Sequence, residues 1–74
     1  MRGFKHRTRY GTVYIVAQPG GRWQVVYNEE GLGSYHSAAA AADDVAGGHT
    51  FSPSNGVDFA DLAISDDVGD WERF

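Results

Sequence analysis

Cysteine is absent from this chain of 74 residues, proline occurs twice and methionine once. Without thiols there is no disulfide scaffold, no thiolate metal cluster and no thiol nucleophile. No run approaches the roughly 20 apolar residues that span a bilayer. The opening residues 1–7 are basic but lack the apolar stretch of a signal peptide. The expectation is a cytoplasmic protein without membrane contact. The length bounds the chain to one domain, and so small a core, unstapled, depends on aromatic burial or on association.

Acidic residues are also missing from the first 22 positions. Arg2, Lys5, Arg7, Arg9 and Arg22 give that stretch +5, while the rest holds all ten acids against Arg73 alone, and the two parts make the net −4. Such a split marks either a basic arm for a polyanion or a solvated terminus paired with the acidic remainder. A body at −9 repels phosphate unless its charges face away.

What is present is β-branched, aromatic and alanine-rich. Residues 12–18 (TVYIVAQ) contain no breaker and read as a strand. Pro19-Gly20-Gly21 makes a turn, residues 23–27 a second strand, Asn28-Glu29-Glu30-Gly31 a second turn, and residues 32–35 a third strand. Next comes a helix with Ser37 as N-cap. Ala38, Ala41, Ala42, Val45 and Ala46 form one apolar stripe, and Gly47-Gly48 supplies the stop. So thin a stripe must lie close to the sheet, against Val13, Ile15, Trp23, Val25, and Leu32 or Tyr35. Residues 57–64 admit a short second helix capped by Asp58, with Phe59, Leu62 and Ala63 buried. The expected fold is α+β, a three-stranded antiparallel meander on one helix, with a C-terminal segment folding back. Its parts are a basic arm (residues 1–9), one domain (10–64) and an acidic, aromatic tail (65–74).

Strand alternation puts Val13, Ile15 and Ala17 on one face and Thr12, Tyr14 and Val16 on the other, with Val26. One helix covers one face. The second face is apolar enough to need the segment from Phe51 onward, or a partner, as cover.

No catalytic constellation emerges. His36 and His49 sit at opposite ends of a helix, roughly 15 Å apart at 1.5 Å per residue, and Ser34 and Ser37 lack a group to orient His36 as a base. Asp66-Asp67-Val68-Gly69-Asp70 misses the spacing of a calcium loop. Gly31-Leu32-Gly33 lacks the third glycine and the βαβ setting of a dinucleotide loop. Glu29-Glu30 and Asp43-Asp44 are neighbours whose side chains diverge, unlike a general acid–base pair. No metal, cofactor or enzymatic activity is expected.

The span 10–46 resembles the β-β-β-α pattern of AP2-type and phage-integrase N-terminal DNA-binding modules. The matching residues are Gly21-Arg22-Trp23 opening the second strand, Leu32-Gly33-Ser34-Tyr35 as the third, and Ser37 with its alanines and Asp43 opening the helix. The resemblance implies a sheet face that enters the major groove with arginines and a tryptophan; here the strand interiors carry Tyr14, Val16, Gln24 and Val26, and Arg22 stands at the turn. Taken whole, with Gly56-Val57-Asp58 and Asp70-Trp71, the chain also resembles a group of small proteobacterial proteins.

Two functional expectations follow. The first is a non-catalytic interaction module, binding a protein partner or a second copy through Tyr14, Val16, Val26, Trp71 and Phe74, because aromatic anchors dominate contact energies. The alternative is a nucleic-acid-binding domain using Arg2, Lys5, Arg7, Arg9, Arg22 and Trp23.

Overall fold

Residues 3–8 alternate Phe4, His6 and Thr8 with Lys5 and Arg7, and Arg9 and Tyr10 then make a tight two-residue turn. The Thr8 hydroxyl donates to the Gly11 carbonyl at 2.6 Å and accepts from the Tyr10 amide at 3.1 Å. That local chemistry makes a hairpin of β1 (Gly3–Thr8) and β2 (Gly11–Gln18). A computed structural model describes residues 3–49 and 56–74, so Arg2, Phe51 and residues 52–55 of the expected loop lie outside the described residues.

The fold is α+β, and the described residues form a five-stranded antiparallel sheet in the order β4-β3-β2-β1-β5 and one α-helix. The expected count of three strands is corrected at both ends of the chain. Residues 3–8 of the supposed arm are β1, and residues 72–73 of the tail are β5 (Glu72–Arg73), which pairs with β1 through Phe4↔Arg73 and Lys5↔Glu72. The two strands expected at 12–18 and 23–27 are present as β2 and β3 (Arg22–Tyr27), and the third begins at Glu30 rather than Leu32, as β4 (Glu30–Tyr35). Asn28 and Glu29 both take positive φ, 53° and 65°, the two-residue connection whose twist suits a hairpin. A register irregularity opposite Val25 and Val26 lets Leu32 turn into the core.

Helix α1 (Ala38–Ala46) forms where its propensity places it. The Ser37 hydroxyl accepts from the Ala40 amide at 3.0 Å, and Ala41, Ala42 and Val45 are buried, with Ala38 and Ala46 packed beside them. At its end the His49 amide donates to the Asp44 carbonyl and the Gly48 amide to the Val45 carbonyl, the paired bonds of a Schellman stop. The left-handed residue is Gly48, at φ 72°. A Cβ there would lie 2.9 Å from an Asp58 carboxylate oxygen and 3.0 Å from Ala60, so the glycine also admits the returning chain.

Residues 57–64 do not form the admitted helix. Asp58 accepts from the Ala60 amide at 3.0 Å and starts a single 3-10 turn, Phe59–Asp61. Ala63, at φ 55°, ends any continuation. The buried residues are therefore Phe59 and Ile64 rather than Phe59, Leu62 and Ala63; Leu62 is half-buried and Ala63 exposed. So short a segment gains too few bonds to offset helix nucleation. A second 3-10 turn, Val68–Asp70, is capped by Asp67.

The core lies between the sheet and α1. Val13, Ile15, Val25, Tyr27 and Leu32 rise from the sheet to meet Ala41, Ala42 and Val45, and Phe59, Ile64 and Trp71 close the layer from the C-terminal segment. The buried Tyr27 ring meets Phe59 edge-on at 5.2 Å, and its hydroxyl donates to the Tyr10 carbonyl at 2.6 Å. Thus the described part of the segment after residue 55 folds over the helix side of the sheet. It leaves the second face open apart from residue 74.

Candidate functional site: the open face of the sheet

Strand pairing fixes what the open face presents. One row across the sheet contains Glu72, Lys5, Tyr14, Val26 and Gly31; the next contains Phe74, Gly3, Val16, Gln24 and Ser34. Phe74 is held there by reciprocal backbone bonds with Gly3, at 3.1 and 3.3 Å. Gly3 is required beneath the ring, since a Cβ would collide with the Ile15 carbonyl oxygen and lie 3.0 Å from the Phe74 ring. The ring then meets Tyr14 edge-to-face, centroids 5.7 Å apart at 83°. Tyr14 and Phe74 remain 37% and 42% exposed, and Val16 and Val26 are partly exposed between their neighbours.

Four of the five residues expected at a partner surface, Tyr14, Val16, Val26 and Phe74, thus share one uncovered face. Trp71 does not join them. It is 5% exposed on the helix side, its indole N–H donates to the Ser65 carbonyl at 2.9 Å, and its ring stands edge-on to His6 at 5.2 Å. Its role is to close the core over β1.

Charge brackets the apolar centre. Towards one end of the strands, Arg7 and, one row inward beside Tyr14, Lys5 share the Glu72 carboxylate, each at 3.9 Å. At the other end, the Arg22 guanidinium donates to the Ser34 hydroxyl and carbonyl at 3.1 and 3.0 Å. Beside Arg22, Gln18 donates to Gln24 at 2.8 Å. Of the ten acids, Glu72 alone belongs to this face. Glu29 is in the β3–β4 turn, Glu30 pairs with Tyr27 on the opposite face, Asp43 and Asp44 are on α1, and the other five lie in the C-terminal segment packed beside α1. The sequence asymmetry, which runs along the chain, becomes in three dimensions an asymmetry between faces.

The expected nucleic-acid set divides. Lys5, Arg7 and Arg22 lie on the open face. Arg9 sits in the β1–β2 turn, its guanidinium 5.7 Å from the Tyr10 ring centre. Trp23 belongs to the opposite face, half-buried against Phe4 at 5.9 Å. Arg73, which sequence reasoning set aside, stacks over Phe4 on that same side at 5.6 Å.

Other titratable groups serve local structure. Asp67 accepts from the Gly69 amide at 2.9 Å and Asp70 from the Ser65 hydroxyl at 2.8 Å, so the acid run folds a turn. Among the described residues no three His, Asp or Glu side chains gather as a metal site. No described helix is long and apolar enough to cross a membrane. Burial, reinforced by the charge of Asp44 and a hydrogen bond to it, pushes the Tyr35 phenol from 10.0 up to about 12. Tyr35 borders the core at the end of β4, away from the Tyr14–Phe74 pair. No family model, curated protein or solved structure matches the chain.

Proposed function

We propose that this protein is a non-catalytic interaction module that docks a protein partner on the open face of its sheet. The observation that carries the reading is the convergence of Tyr14, Val16, Val26 and Phe74 on the face that neither the helix nor, apart from Phe74 itself, the described C-terminal segment covers. Exposed aromatics over β-branched residues supply the desolvated anchor of an interface, and a polar rim of Lys5, Arg7, Gln18, Gln24 and Arg22 surrounds them. Site-specific photocrosslinking in cells tests it. A photoreactive residue at position 16 or 26 is expected to give discrete protein adducts, and one at the exposed helix position Ala39 none. Equal adducts from both faces, or none from the sheet, would overturn the reading.

A second reading, nucleic-acid binding, is favoured by Lys5, Arg7 and Arg22 lying on that same face while nine acids lie elsewhere. Binding of labelled duplex or single-stranded DNA at low salt, falling steeply as salt rises, is its signature.

A further inference from the structure

We infer that the open face takes an extended, acidic protein segment with an apolar centre. This rests on the docking reading above and adds the chemistry of the partner. The cations lie towards both ends of the strands, with Arg7 at the Arg7↔Thr12 pair, Lys5 one row inward beside Tyr14, and Arg22 at the Gln18↔Arg22 pair. From Thr12 to Gln18 is six residues along β2, about 20 Å at ~3.3 Å per residue. An extended segment of about six residues spans that distance. Its carboxylates then reach Arg7 and Lys5 at one end and Arg22 at the other, and a central aromatic or branched side chain packs on Tyr14, Val16, Val26 and Phe74.

Charge decides between this occupant and a nucleic acid. The face carries three described cations, two of which already share Glu72. The remaining nine acids belong to the other sides of a molecule only 30 Å in its longest dimension. A duplex carries one charge per roughly 1.7 Å and continues past both edges of the face into that field. A short acidic segment ends where the cations end. A second copy docking face to face sets Lys5, Arg7 and Arg22 against their own equivalents, which like-charge repulsion opposes.

Panning a displayed library of random dodecapeptides against the immobilised full chain tests the inference. The expected result is enrichment of Asp and Glu flanking a Tyr, Trp, Phe or Leu. A representative synthetic peptide should bind roughly tenfold more weakly to the Arg7→Gln/Arg22→Gln variant, as two partly exposed charge contacts imply. It should lose binding to Tyr14→Ser, with both variants checked for native circular dichroism. Enriched peptides without an acid excess would overturn the acidic partner and leave the docking face standing. Failure to enrich any peptide, together with absence of sheet-face adducts, would overturn both. Displacement of the peptide by oligo-dT at physiological salt would overturn the inference in favour of a nucleic acid.

Discussion

Phe74 stands edge-on to Tyr14 over the bare backbone of Gly3, so the chain's last residue and its third together build the centre of the open face. The pairing of β1 with β5 therefore positions the candidate site as well as extending the sheet. Disturbing that pairing at Gly3 should disturb the site.

Gly3→Ala should destabilise the protein by about 1–3 kcal/mol, the usual cost of forcing a methyl into occupied space. The added carbon meets the Ile15 backbone, which has little room to yield. Urea unfolding measures the loss. Faster amide hydrogen exchange at Phe74 than at Val25 would show that β5 is released first.

Trp71 and Tyr14 should behave oppositely. Trp71→Ala removes a core ring and its bond to Ser65, at a cost of about 3–5 kcal/mol. For 74 residues the whole stability is about 4–11 kcal/mol at ~0.05–0.15 kcal/mol per residue, so this variant should lose from about a quarter to all of it and melt far below the parent. Tyr14→Ser should cost about 1 kcal/mol or less and abolish partner binding. Denaturation midpoints separate the two.

Ser37→Ala should cost about 1 kcal/mol by leaving the Ala40 amide uncapped, and Ser37→Asp should restore most of it. Thermal melts of the three proteins check this.

Alkaline stability should depend on Tyr35. Its folded phenol titrates near 12 and its unfolded phenol near the ordinary 10.0. The unfolded chain ionises first, so the stabilising difference is complete below about pH 10 and is lost as pH rises from 10 to 12. Tyr35→Phe should lack that part of the decline, and Asp44→Asn should reduce it. Urea midpoints across this pH range test both.

Glu72→Gln should barely alter stability, by about 0.5 kcal/mol or less, since both of its ion pairs are long and largely exposed. It frees Lys5 and Arg7, so an acidic peptide should bind the variant more tightly. Weaker binding would contradict the assigned role of those cations.

Much of the architecture was legible in residue order. β2, β3 and α1 follow from β-branched runs and from a capped alanine stripe, and the sheet residues opposite the helix came out of simple alternation. β1 was missed because Lys5, His6 and Arg7 give it no apolar signal beyond Phe4, though the Thr8–Gly11 turn chemistry marks it. β5 has two residues and exists through pairing with β1, which no local pattern encodes. The inward packing of Trp71 is not legible in sequence, because an aromatic in an acidic tail looks the same whether it packs inward or outward. Its separation from Phe74 follows from strand alternation only once Glu72–Arg73 is known to be a strand. The facing of the charges was likewise hidden, since it depends on the register of distant strands.

The most direct test of the open face as the docking surface is an amide-resolved NMR titration of the full chain with an acidic peptide selected on it. The account predicts shifts concentrated at Lys5, Arg7, Tyr14, Val16, Arg22, Val26 and Phe74, with Asp43, Asp44 and the rest of α1 unchanged. Shifts centred on α1 or on residues 58–70, with the sheet residues unmoved, would contradict it.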